Sequence, residues 1–217
     1  MGCFRNNNAH FIQVVKNEDI TIFRSKDGEI LLKQNDMDDE LIKLNQFKEK
    51  VTDMSISKGY IYAISESNKF YYWNYNQKYY HEKLLAIKSS NYNSDASEFT
   101  VLDKNKRKIE FTRVISGRYH GFLIDKDGKP WGFGANEWSQ LGINDDLDID
   151  YPTLIEPIIY SPILEIVCGK FHSMLLSNDG NIFICGEGYN YQAGIGHYFT
   201  ISDLNLFLYN IVNNINN

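Results

Sequence analysis

The chain has 217 residues, 43% of them apolar and 23% charged, with a formal net charge of −6. That composition supports a packed core, and the acidic balance excludes broad nucleic-acid binding, which needs a basic surface to displace phosphate counterions. No apolar run approaches the roughly 20 residues that span a bilayer.

The N-terminus, MGCFRNNN, lacks the apolar segment of a signal peptide. Gly2 and Cys3 resemble an acylated start, but Asn6 stands where myristoylation wants Ser or Thr, so lipidation is not expected. Val14–Gln34 reads as two strands around Asp27-Gly28. In Met37–Lys50, Met37, Leu41, Leu44 and Phe47 fall at helical spacing, which predicts a short amphipathic helix behind the acidic stretch Met37–Glu40. Met54–Asn76 again reads as two strands, now around Asn68-Lys69. Its aromatic second half, within Lys69–Tyr80, suits either a binding face or a buried strand. Asp103–Arg113 clusters Lys104, Lys106, Arg107 and Lys108 and reads as an exposed hairpin turn more readily than as an import signal. Asn144–Asp150 is acidic but lacks the glycine and distal Glu of a calcium loop, and reads as a solvated connection. Cys3, Cys168 and Cys185 are too few and too scattered for a disulfide framework or a zinc cluster, which fits a reducing, cytoplasmic compartment with a nuclear location as the alternative.

Val114–Gly142 and Ile166–Gly194 are copies of each other. Gly117, His120, Asp127, Gly128, Gly134, Gln140 and Gly142 match Gly169, His172, Asp179, Gly180, Gly186, Gln192 and Gly194, every pair 52 positions apart without a gap. Fainter copies lie 60 and 100 positions before the third, with Tyr60 at the histidine position, Asn68 at the turn glycine and Asp27-Gly28 on Asp127-Gly128. Each copy reads as a hairpin with Asp-Gly or Asn-Lys in a two-residue turn that tolerates positive φ. Pro130 cannot donate to a ladder and is expected at a strand start or a non-bonded position. Hairpins at a period of 40 to 60 residues predict the blades of a propeller or array, with boundaries near 10–50, 51–110, 111–162 and 163–217 in one repeat domain.

The third and fourth copies resemble the repeat of the regulator of chromosome condensation (RCC1-like) family. That pattern runs Gly-x-x-His, an apolar strand, Asp-Gly, an aromatic strand ending in Gly, then Asn-x-x-Gly-Gln-Leu-Gly. Gly117, His120, Asp127, Gly128, Gly134, Asn136, Gln140, Leu141 and Gly142 supply it, followed by an acidic loop with Asp145 and Asp148 and then Pro152. Ser139 and Tyr191 replace the glycine before Gln, Ala193 replaces Leu, and Cys185 replaces the usual Trp. The resemblance implies an all-β, seven-bladed propeller. Four copies cannot complete seven blades, so an open arc, a four-bladed variant or a short product of a longer ancestor is expected; an open arc would leave strand edges for self-association or a partner chain to cover.

His120 and His172 are the residues a functional reading would single out as metal ligands or bases. Recurrence in one frame spreads such positions over successive blades, so both are expected to serve blade construction. Gly132-Phe133-Gly134 and Gly186-Glu187-Gly188 lack the third glycine and the helix of a dinucleotide site. No Ser-His-Asp, Cys-His or paired-carboxylate set emerges, so no catalytic, cofactor-binding or metal residue is expected. The expected function is a non-enzymatic protein-interaction module whose binding lies in loops that do not repeat. The resemblance also implies an alternative, nucleotide exchange on a small GTPase, although no exchange-site residue transfers. A ubiquitin-ligase role is not expected in a chain this short.

Overall fold

The computed structural model describes residues 10–35, 41–75, 96–103, 105–143, 147–155, 161–188 and 201–207, the last as backbone. All regular structure among them is β. Four antiparallel sheets of four strands follow one another along the chain. The first holds β1 (Phe11–Lys16), β2 (Ile20–Ser25), β3 (Ile30–Gln34) and β4 (Ile42–Leu44). The second holds β5 (Val51–Ile56), β6 (Tyr60–Ser65), β7 (Phe70–Asn74) and β8 (Ser97–Phe99). The third holds β9 (Phe111–Ser116), β10 (His120–Asp125), β11 (Pro130–Gly134) and β12 (Ile149–Leu154). The fourth holds β13 (Ile163–Cys168), β14 (His172–Ser177), β15 (Ile182–Gly186) and β16 (Ile201–Phe207).

Register confirms the repeat frame residue by residue. Ile20, Tyr60, His120 and His172 open the second strand of each sheet and pair with Gln34, Asn74, Gly134 and Gly186. The bulge in the first hairpin falls at the same place each time, between Phe11 and Gln13, Val51 and Asp53, and Ile163 and Glu165. Pro130 begins β11, where its missing N–H costs no ladder bond.

Two local expectations are corrected. The central turns have three residues, not two. The amides of Gly28, Asn68, Gly128 and Gly180 bond back to the carbonyls of Ser25, Ser65, Asp125 and Ser177. Only that third residue takes positive φ, at 78°, 58°, 78° and 84°. This is a type I turn closed by a left-handed residue, whose twist suits the flanking strands as well as a mirror-image turn does. The side chain of the last strand residue holds the turn: Oδ1 of Asp125 accepts from the amides of Asp127 and Lys129, and Oδ2 from Nε1 of Trp131. The second correction concerns the expected helix in Met37–Lys50. Ile42–Leu44 is the strand β4, because Ile30 and Leu32 on β3 offer an unpaired ladder. Residues 36–40 lie outside the described part.

The chain forms two compact units, one of Met1–Glu82 with Ile87–Ser116, the other of Lys83–Ala86 with Gly117–Asn217. In the first, Ile20, Ile22, Ile30 and Leu32 pack on Val51, Met54, Ile56, Ile61 and Ala63 of the next sheet. Each such aliphatic side chain contributes about 1.5–3 kcal/mol of burial. Phe70, Tyr71 and Tyr72 are buried, so the described part of the aromatic run belongs to the core. Side chains also join sheet to sheet. Gln13 Nε2 donates to Asp53 Oδ1 (2.7 Å) and the Met54 carbonyl (3.1 Å). Asp53 Oδ2 then accepts from the amide of Val114 on β9 (2.8 Å). In the second unit Phe122, Leu123, Phe133, Leu141, Ile166, Leu175 and Phe183 are buried.

The basic stretch is an exposed turn closed by the bridge between Leu102 and Lys108. Arg107 pairs with Asp103 and Lys108 with Glu98, so its charge is partly neutralised; Lys104 lies outside the described residues.

Candidate functional site

Within the second unit the two histidine copies fare differently. His120 is completely buried at the start of β10. Ser173 Oγ donates to the Gln140 carbonyl at 2.7 Å and lies 2.7 Å from Nε2 of His120. A hydroxyl has one proton to give, so Nε2 of His120 is the donor of that second bond. Nδ1 of His120 and Nε2 of Gln140 have no hydrogen-bond partner among the described residues. Cys185 Sγ also donates to the Gln140 carbonyl, at 3.2 Å. His172 is only half-buried at the equivalent position of β14.

The Gly-x-x-His spacing has a steric cause. A methyl group on Gly169 would fall 2.2 Å from Cε1 of His172, and one on Gly117 would fall 2.2 Å from the Gly169 carbonyl oxygen and 3.1 Å from Cε1 of His120. The glycine leaves room for the imidazole that folds back over it.

The Asn136–Gly142 segment is a compact cap on the same unit. Asn136 Oδ1 accepts from the Leu141 amide (3.0 Å), Asp148 Oδ1 accepts from the Asn136 amide (2.9 Å), and Gln140 Oε1 accepts from the Trp138 amide (3.0 Å). Ser139 has φ 55°, a left-handed conformation that explains glycine at this place in the family pattern. Asp145 lies outside the described residues.

Burial lowers the His120 pKa to about 3, with the neighbouring His172 adding to the effect. Between pH 6.5 and 3 the unfolded chain therefore binds a proton that the native chain refuses. Stability falls as pH falls through that window, by about 1.4 kcal/mol per pH unit for one such proton. Melting temperature measured against pH is expected to show this slope in the wild type. In His120→Gln it is expected to be shallower by one proton's worth.

The accessible feature of this unit is aromatic and cationic. Tyr119 and Phe171, from the turns preceding β10 and β14, stack at 5.7 Å between centroids and 21° between planes. Trp138 from the Asn136–Gly142 cap adds a third ring 5.9 Å from Phe171. The Arg118 guanidinium lies 5.6 Å from the centre of the Tyr119 ring, and Lys170 Nζ 4.5 Å from that of Phe171. All three rings are partly exposed. Arg118, Tyr119, Lys170 and Phe171 fill the variable positions of Gly-x-x-His, so the repeated turns, rather than non-repeating loops alone, carry two of the three rings. Twin cation–aromatic pairs, Arg-Tyr and Lys-Phe, were the visible signal in the sequence. Among the described residues no group of three His, Cys, Asp or Glu is placed to hold a metal ion.

Two models of the regulator of chromosome condensation repeat match the chain, over residues 127–176 and 163–192. Residues 127–192 of the chain are RCC1-type repeats. It is 37% identical to human Protein RCC2 over 91 residues, covering 41% of this chain and 17% of that protein. It is 28% identical to rat "Probable E3 ubiquitin-protein ligase HERC4" over 172 residues, 77% of this chain but 15% of HERC4. The RCC1-like chain thus spans less than a fifth of the length of these relatives. Among solved structures, human WBSCR16 superposes with TM-score 0.75 at 16% identity, over 94% of this chain and 54% of that one. Yeast RCC1 (Prp20), solved bound to Kap60, superposes with TM-score 0.72 at 14% identity, over 92% and 49%. These likenesses show the fold: RCC1-type propeller blades.

Proposed function

We propose that this RCC1-like chain is a non-enzymatic protein-interaction module that docks another protein on the turn ends built from Arg118, Tyr119, Trp138, Lys170 and Phe171. The cluster of three partly exposed rings carries the reading, because Tyr, Trp and Arg dominate interface hot spots. In this reading His120 and its Ser173 and Gln140 partners hold the blades together beneath that surface and take no part in chemistry. The free thiols of Cys168 and Cys185 fit a reducing compartment, cytoplasmic or nuclear. Among the described residues no helix is long and apolar enough to cross a membrane.

A second reading, regulation of a small GTPase, is favoured by the likeness to yeast Prp20p, whose binding properties to Gsp1p and histones are the subject of a solved structure. In either reading the rings are the contact. Affinity capture with the wild type and with a Tyr119→Ala/Phe171→Ala variant, quantified by mass spectrometry, tests this. Partners retained by the wild type and depleted at least tenfold on the variant, a loss of about 1.4 kcal/mol, support the assignment. Equal retention by a folded variant removes it.

A further inference from the structure

We propose that a second copy of this chain seats its first sheet against the fourth sheet, with His172 of one protomer donating to Thr21 of the partner subunit. The inference goes beyond the ring cluster and rests on how the chain's own sheets already mate. In the repeat frame, positions 14, 54, 114 and 166 are equivalent, since register and bulge agree in the first hairpins of the first, second and fourth sheets and Val114 precedes Ile166 by the repeat's 52 positions. Met54, Val114 and Ile166 are 1%, 3% and 2% exposed, whereas Val14 is 56% exposed. Met54 is covered by the face of the sheet before it, through Ile20, Ile22, Ile30 and Leu32. Val14 lacks such a cover. The fourth sheet shows the converse: Val167 is 56% exposed, although its equivalents Val15, Ser55 and Ile115 are all at least half-buried. Met174 is likewise half-exposed where its equivalent, Phe122, is completely buried. The sheet edge and face left open on β1 and on β13–β14 are of the kind that recruit another sheet.

Polar chemistry specifies which sheet. Nε2 of His120 is satisfied by the hydroxyl of Ser173, the second residue of the next sheet's second strand. The equivalents of Ser173 are Thr21, Ile61 and Gly121, so among the other three sheets the first alone offers a hydroxyl. Thr21 Oγ1 donates to Asn35 Oδ1 at 2.7 Å, as Ser173 Oγ donates to the Gln140 carbonyl, which leaves a lone pair to accept. His172, half-buried at the place where His120 is sealed, is the matching donor. The contact is heterologous: the β1 side of one protomer meets the β13–β14 side of the other.

Light scattering on the 217-residue chain at about 100 µM should give at least twice the 25.2 kDa monomer mass. Val14→Glu and Val167→Lys each place a charge in every such contact and should each yield monomers by light scattering that remain folded by circular dichroism. Mixing the two variants should restore the doubled mass, because the unmutated β1 side of one variant can meet the unmutated β13–β14 side of the other. Thr21→Val should weaken the dissociation constant about tenfold, the effect of one lost buried hydrogen bond. A wild-type monomer at that concentration overturns the proposal, including one stabilised by closing these faces within a single chain. So does a dimer that ignores both charges, or one that only one of them dissociates.

Discussion

Replacing His120 by alanine lowers stability by about 3 kcal/mol, a sum of the cavity left by a buried ring and the loss of its hydrogen bond. For a chain of this size that is a fall of about 6–12 °C in melting temperature. The cause is the position of the imidazole, completely buried and donating from Nε2 to Ser173. Alanine leaves the Ser173 lone pair without its donor and a void beside Phe122, whose ring centre is 6.2 Å from that of His120. His172→Ala in the monomeric Val14→Glu background should cost far less, because His172 is half-buried. Thermal denaturation of the two variants decides the matter. Equal losses would mean that the repeat position, and not the buried junction, determines the cost.

The second large effect is expected at Gly186. Its φ is 103°, and a methyl group there would sit 2.3 Å from the carbonyl oxygen of Phe171 and 2.6 Å from Cα of His172. Neither atom can retreat without displacing the start of β14. Gly186→Ala therefore combines backbone strain with a clash against main chain, and should cost more than about 3 kcal/mol. Gly180→Ala is the control. Its φ of 84° is also left-handed, but nothing lies within 4 Å of the added methyl. Strain alone should cost about 1 kcal/mol, or about 2–4 °C. Urea unfolding of both variants separates conformational strain from collision, and a ranking with Gly180→Ala the worse would refute the assignment.

Most of the strand framework was legible in the sequence, because the repeat carries its own registration marks. Asn68, at the turn-glycine position of a degenerate copy, takes the left-handed φ of 58° that the alignment requires. Pro130 at the head of β11 follows from its missing donor. The turn length was not legible, since Asp-Gly is compatible with both a two-residue mirror turn and a type I turn ending in glycine. Leu41, Leu44 and Phe47 mimic helical spacing over a segment too short for periodicity to be decisive, and pairing of β4 with β3 overrides it. Ser173 could not be found from sequence: a serine at the Gly121 position becomes a hydrogen-bond partner only once the third and fourth sheets pack. The ring cluster was missed for a different reason. Tyr119 and Phe171 sit inside the repeated motif, where recurrence suggests construction, and it takes the 5.7 Å stack and Trp138 to show a shared, partly exposed surface.

The proposed function is binding without catalysis. Nucleotide release from a panel of small GTPases loaded with a fluorescent guanine nucleotide, with and without the 217-residue chain, tests it most directly. Release is predicted to proceed at the intrinsic rate throughout the panel. Acceleration of any member by tenfold or more, a barrier lowered by about 1.4 kcal/mol, would contradict the claim and establish exchange instead.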